Sequence, residues 1–493
     1  NPLRILNGEL PYRDFWLLNP PGEVYLPALF YKLFGLNINI VPISIGIFLS
    51  LIFIFSFILG KLVFSNNFLA LLTAVLLYFS SLYNSQHYFL ILLISVIFFI
   101  KYLKNYSVRY LFLAGLFIGF AFLFRIYEVG ALLVAYILTI FIGNFNSKQS
   151  EYSFKIIGIL LIGVIIVISI TLIAFIGIWQ VMIKELIFES VSHGTSMSLP
   201  YYLIPLELFK QTVVSIGALF SNLNIFNTTN FIHIFLFFTN TLIIYILPFV
   251  LICISIFYLS NRKLDKGDNV IIILFLFWGI FTFPKALFRS DIQYLNSYTS
   301  PFFFLLIFML YNNFKFKGVA SSGKLGNGIL IALIVSLLIG PLIILKDVGA
   351  TMIQPQYRIN TSHGEIFISN ASEAKDINSI IEFINENTEE KDYIFVTPWF
   401  APPLYALTDR KNPTYYDSLI DLIARPSQEK QVKVCNDLIN KNTKVILHNP
   451  DWGFDNIKER QFLYACPLLQ KCIEDNFELV EKYGRYWIYV RKP

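Results

Sequence analysis

Charge is scarce in this 493-residue sequence: Asp, Glu, Lys and Arg make up 14% of it, against roughly 25% in an ordinary soluble chain. Cysteine is scarce too, with four residues. That excludes a small disulfide-dense secreted scaffold, and no CxxC or Cys/His spacing suggests zinc. Cys253 lies in an apolar run and reads as a small core residue. Cys435, Cys466 and Cys472 fall in a polar tail, where unpaired or structural cysteines are favoured and one disulfide is the alternative. There is no internal repeat, no Walker A loop around Gly323-Lys324, and no HExxH or GxSxG string. The net charge of +6 is modest and forms no basic stripe, so no nucleic-acid partner is expected. What fills the chain instead is apolar surface. Hydrophobic residues are 56%, 50 residues are Phe, and the mean hydropathy is +0.63. A soluble protein could not hide that much, so the sequence reads as a membrane chain.

A helix needs roughly 20 apolar residues to cross the hydrocarbon core. Ten runs qualify: 39–60, 68–83, 87–103, 110–126, 130–145, 155–179, 231–259, 270–288, 296–312 and 327–346. Alternate connections carry Lys61; Lys101, Lys104 and Arg109; Lys148 and Lys155; Arg262, Lys263 and Lys266; and Lys315, Lys317 and Lys324. Their acids are Glu151, Asp265 and Asp268. The positive-inside rule makes these connections cytoplasmic. Residues 1–38, the long segment 180–230, the turn 289–295 and everything after 347 are then extracytoplasmic. Polytopic chains usually enter the membrane through an N-terminal helix, so a further span ahead of Asn1 is expected.

The organisation that follows is a first extracytoplasmic loop (1–38), a transmembrane core (39–346) with an interfacial segment at 180–230, and an extracytoplasmic domain (347–493). His193, in the interfacial segment, reads as a solvated loop histidine. The last region turns abruptly polar and reads as a small α/β domain. Ile377, Ile380, Ile381 and Ile384 share one face of a helix over 373–387. A strand at 393–396, a helix over 427–441 and a strand at 444–447 follow. A helix near 467–475 and two strands, 477–482 and 485–491, turning at Gly484, complete it. No glycine-rich fingerprint follows any strand, so no nucleotide site is expected.

Three groups of polar residues gather at the extracytoplasmic ends of the spans. In the first, Arg13 and Asp14 stand side by side between Tyr12 and Trp16, ahead of Asn19-Pro20-Pro21-Gly22. An interfacial anchor with a local ion pair is one reading, since Trp and Tyr favour the headgroup level. A base beside a phosphate-binding cation is the other. The second group is Lys285 through Asp291, with Arg289 between them and Tyr294 beyond. It reads as snorkelling cations or as a phosphate cradle. The third is Arg125-Ile126-Tyr127-Glu128, for which a snorkelled ion pair is favoured. Intramembrane carboxylates or matched broken helices, the marks of a coupled transporter, are not visible.

The string Asn7-Gly8-Glu9-Leu10-Pro11-Tyr12-Arg13-Asp14-Phe15, followed by Pro20-Pro21-Gly22 and Phe34-Gly35, resembles the first extracytoplasmic loop of GT-C membrane glycosyltransferases. The resemblance is to the group with the protein O-mannosyltransferases, the lipid A aminoarabinose transferase and the lipopolysaccharide-core galacturonosyltransferases. Arg289-Ser290-Asp291 with Tyr294 resembles the group's Arg-x-Asp motif with an aromatic beyond it. Arg125 through Gly130 is similar to its basic residue and glycine after a span. The resemblance implies a GT-C-like polytopic α-helical membrane protein in the cytoplasmic membrane. It also implies inverting sugar transfer from a polyprenyl-phosphate donor to a lipid, glycan or protein acceptor at the outer face. Asp14 would be the base. Arg13, Lys285, Arg289 and Arg125 would hold the donor phosphate, and Tyr12, Asn19, Asp291 and Tyr294 would contact substrate. No cofactor or metal is expected. The family's usual acidic motif lies before such a string, upstream of Asn1, so Asp14 is either the base or a second acid. Asn19 stands where aminoarabinose transferases have Lys. A flippase for lipid-linked sugars and a polysaccharide polymerase or ligase are the alternatives.

Overall fold

The computed structural model of the protein describes residues 2–82, 86–145, 150–189, 245–256, 259–260, 266–289, 297–315, 337–338, 349, 353–361, 363–390, 392–397, 401–417, 419–453 and 457–493. These residues belong to two compact units. Ile45–Ile176 with Ser198–Ala350 is helical, and Asn1–Ser44 with Gly177–Met197 and Thr351–Pro493 is mixed α/β.

Helices Ile40–Phe64, Gln86–Asn105, Ile126–Phe145, Ser150–Ala174 and Lys266–Phe288 contain stretches long and apolar enough to cross a membrane. Shorter apolar helices occupy Asn67–Ser81, Val108–Phe122, Tyr245–Ile256 and Ser300–Tyr311. A helix is what such runs must form in hydrocarbon, because no water is present to satisfy the backbone. The expected spans from 39–60 through 296–312 each overlap one of these helices. Most of the run 327–346 and most of 180–230, with His193, lie outside the described residues. Chain punctuation is local and polar: the Asn66 side chain accepts from the amides of Phe68 at 2.8 Å and Leu69 at 3.2 Å, starting Asn67–Ser81.

Packing in the helical unit depends on small residues and aromatic rings. Val108–Phe122 and Ser150–Ala174 approach through Gly115, Gly119 and Gly163. A methyl group at Gly115 would stand 2.1 Å from the Leu160 carbonyl oxygen, and one at Gly163 2.7 Å from main-chain atoms of Phe112 and Leu116. Gly115 and Gly119 lie four apart on one face, the spacing that lets membrane helices touch backbone to backbone. Buried Ser95 ties the next helix in, bonding the Ala114 carbonyl at 2.9 Å and the Tyr136 hydroxyl at 3.0 Å. Phe99 stacks on Tyr136, and Phe275 on Phe304, each with centroids 3.8 Å apart.

In the α/β unit, β1 (Tyr357–Thr361) and β2 (Gly364–Ile368) make an antiparallel hairpin. A second, four-stranded sheet contains β3 (Ile394–Val396), β4 (Val445–His448), β5 (Phe477–Tyr483) and β6 (Tyr486–Arg491) in the order β3-β4-β6-β5. The β3·β4 pair is parallel, and the other two are antiparallel. Strand alternation divides the core in two. Ile394, Val396, Val445, Leu447 and Ile488 pack with Ile380, Ile381 and Ile384 of helix Ala371–Asn387. Phe395, Ile446 and Tyr489 pack on the opposite face with Val434 and Leu438 of Gln428–Asn440 and Leu469 and Ile473 of Pro467–Asn476. Helices on both faces of a sheet are one of the few stable layer arrangements.

Two features correct the sequence reading. Cys435 and Cys472 form a disulfide with Cα atoms 6.1 Å apart, joining the two helices of the second face. Closing a loop of that length stabilises by about 4 kcal/mol on the chain-entropy account. The segment 1–38, expected as a loop, contains a helix at Gly22–Phe34, which an internal Pro27 and aromatic residues disguise.

His448 is buried at the end of β4, between the Thr397 hydroxyl at 3.0 Å and the Gln470 side-chain oxygen at 2.8 Å. Burial holds its pKa down to about 4. The folded unit therefore keeps the ring neutral while an unfolded chain takes up a proton below about pH 6.5. Stability is fully present above that pH and falls by about 3 kcal/mol between pH 6.5 and 4. Hydrogen exchange across β3 and β4 of the full-length protein should accelerate in that window, and His448→Gln should flatten the response. In the helical unit, Gly115→Val is expected to abolish the monodisperse, heat-resistant fraction on size exclusion in detergent. Gly158→Ala, where a methyl group meets open space, should leave it unchanged.

Candidate functional site

The first polar group is built into the α/β unit. Trp16 is 7% exposed within the second-face core. Its amide donates to the Tyr415 carbonyl at 2.8 Å, and its indole N–H donates to Glu185 at 3.0 Å. Arg4 organises the segment. It bonds Glu9 Oε2 at 2.7 Å, Asp417 Oδ1 at 2.6 Å, the Thr414 carbonyl at 3.1 Å and the Asp14 carbonyl at 2.8 Å, and lies 4.8 Å over the Phe15 ring. Only a planar five-donor fork can serve that many acceptors at once. Arg4 and Glu9 also border a cavity of about 350 Å³ with Asp409, Arg410 and Lys411.

Arg13 and Asp14 are together, as their adjacency suggests. Arg13 grips the carboxylate with Nε at 2.9 Å and Nη2 at 2.6 Å, and Asp14 Oδ2 accepts the Leu10 amide at 2.8 Å. The Arg13 guanidinium first, then the Leu10 amide, holds the Asp14 carboxyl below its ordinary value, despite some opposing burial. Asp14 is ionised at neutral pH. Tyr12 is buried with φ at 67°, a strained left-handed backbone for an aromatic residue, and its hydroxyl donates to the Asn19 carbonyl at 2.7 Å. The Asn19 amide donates to Glu23 Oε2 at 2.7 Å. Tyr12 and Asn19 thus shape the loop from within.

In the helical unit, the structure joins the second and third groups. Glu128 lies in the first turn of Ile126–Phe145 and Lys285 in the last turn of Lys266–Phe288, each at the helix end whose dipole favours its charge. Lys285 Nζ and the Tyr298 hydroxyl both donate to Glu128 Oε1 at 2.8 Å. The ammonium stands 5.6 Å from the ring centroids of Tyr127 and Tyr298, and the Tyr127 hydroxyl donates to the Phe281 carbonyl at 3.0 Å. Arg125 lies 5.9 Å over the Tyr88 ring. Arg289 follows the Lys285 helix, its amide donating to the Lys285 carbonyl at 3.3 Å. Asp291 and Tyr294 lie outside the described residues. Sequence reasoning passed over Arg4, Asp417, Glu185 and Tyr298. Glu128 was visible only as the acid of a local pair.

No family model and no curated protein matches the chain. Among solved structures, ArnT from Cupriavidus metallidurans, crystallised bound to undecaprenyl phosphate, aligns over 99% of this chain and 91% of its own, with a TM-score of 0.50. This chain has the ArnT fold. That is a GT-C fold, as the loop string implied, and it makes the protein a multi-pass membrane protein. At 10% identity the likeness is one of fold.

Arg4→Ala should destabilise the α/β unit by about 3–5 kcal/mol, because it leaves the buried Asp417 carboxylate without its guanidinium. Arg4→Lys should restore only part, since an ammonium cannot replace the fork. Denaturant titration of the full-length protein, followed by hydrogen exchange over 412–417, reads both.

Proposed function

We propose that the protein transfers a sugar from a polyprenyl-phosphate donor to a lipid, glycan or protein acceptor at the outer face of the cytoplasmic membrane, with inversion. The observation that carries this reading is the ArnT fold over nearly the whole chain, together with cations held at helix ends. The undecaprenyl phosphate in that neighbour supports a polyprenyl phosphate as the carrier. The disulfide supports an oxidising, extracytoplasmic side for the α/β unit.

In this reading the acceptor hydroxyl attacks the anomeric carbon as the lipid phosphate departs. Phosphate is a good leaving group when its charge is met, so cations rather than a general acid assist departure. Arg13, Lys285, Arg289 and Arg125 supply them, with no metal required. Asp14, already ionised, takes the hydroxyl proton. Its grip on Arg13 couples the two roles: as Arg13 turns to phosphate, the carboxylate is freed. Tyr12 and Asn19 hold the loop in shape for substrate, and Asp291 and Tyr294 are substrate contacts on the strength of the Arg-x-Asp motif.

The test uses full-length protein in detergent with radiolabelled polyprenyl-phosphate sugars, following release of polyprenyl phosphate. Asp14→Asn and Arg289→Ala should each lower release by about 100-fold. An active Asp14→Asn would put the base elsewhere. Lipid-linked sugar crossing liposomes without donor consumption would replace the transferase with a flippase.

A further inference from the structure

Glu128 is 4% exposed, yet its two described donors share one oxygen, and Oε2 has no hydrogen-bond partner among the described residues. Buried ion pairs are weak stabilisers, since their desolvation penalty rivals their attraction. The pair is also asymmetric. The Glu128 side chain is 5% exposed and that of Lys285 33%, so the carboxylate is the buried anchor and the lysine the more accessible partner. Tyr127 and Tyr298 flank that ammonium with their ring faces. The carboxylate lies in the field of both Lys285 and Arg125.

Resting on the proposed donor chemistry, we infer that Glu128 is a positioning residue: with Tyr298 it fixes the Lys285 ammonium where the phosphate of the lipid donor is received. A lysine on a four-carbon stem is otherwise a mobile point charge. Anchoring it in advance removes the ordering cost that phosphate binding would bear.

The experiment measures undecaprenyl phosphate binding to the full-length protein in nanodiscs, with undecaprenol as the neutral control. The parent should prefer the phosphate. Glu128→Gln should lose about 10-fold in affinity, as loss of a supporting partner typically does, while its melting temperature reports folding separately. Glu128→Asp should recover part of the loss. Tyr298→Phe, which keeps the ring and charge, should lose about 3-fold and carries the test if Glu128→Gln does not fold. The double variant Glu128→Gln with Lys285→Ala should bind no worse than Lys285→Ala alone, because the effect passes through the lysine.

Parent affinity in folded Glu128→Gln would overturn the inference alone. So would tighter binding, which would make Glu128 a competitor of the phosphate, or losses that simply add in the double variant. A parent with no preference for the phosphate would overturn the inference together with the proposed function.

Discussion

A guanidinium removed from water must find its acceptors in the protein, and Arg4 finds them across the length of the chain. Asp417, 413 positions away, takes one arm, and the Asp14 carbonyl takes another. Through these bonds the segment carrying Tyr12, Arg13 and Asp14 becomes part of a folded unit rather than a tether. Trp16 completes the attachment by filling the second-face core, while its N–H reaches Glu185 in a third stretch of chain. Asp14 therefore sits on a braced loop whose strain at Tyr12 the surrounding contacts sustain.

The helical unit solves the same problem with different parts. Its close helix contacts come from glycines and from one serine, which brings backbones together without introducing charge. The buried carboxylate is placed where two helix ends of opposite polarity meet, and the lysine that answers it is the more exposed partner. Rigid apolar packing and a buried ion pair are complementary: the first supplies a fixed frame and the second a local field that the frame cannot relax away.

Much of this was legible in sequence where a residue's neighbours in space are its neighbours in the chain. The isoleucine face of Ala371–Asn387, the apolar strands β3 and β4, and the β5–β6 turn at Gly484 all follow from local periodicity, as do the long apolar helices. The β1–β2 hairpin escaped because its strands are only five residues each and Ile359 is their one fully buried side chain. The candidate site residues were legible only where their partners are local. Arg13 and Asp14 pair as adjacent residues must, and Lys285 was marked by its position at a span end. Its tie to Glu128 joins residues 157 apart, and the Arg4–Asp417 and Cys435–Cys472 links are equally non-local. No spacing rule reaches across such separations.

The α/β unit draws on the first, a middle and the last stretch of the chain, and this imposes a timetable on biosynthesis. Trp16 and Arg4 leave the ribosome long before Tyr415 and Asp417 exist to receive them. At about 5–20 residues per second, roughly 400 residues of further synthesis mean a wait of about 20–80 s. During that interval Phe15 and Trp16 have no core to enter, and the unit cannot close until its final strand arrives. Closure of this unit thus waits on β6, and a nascent chain released before it exposes the very loop that carries Asp14.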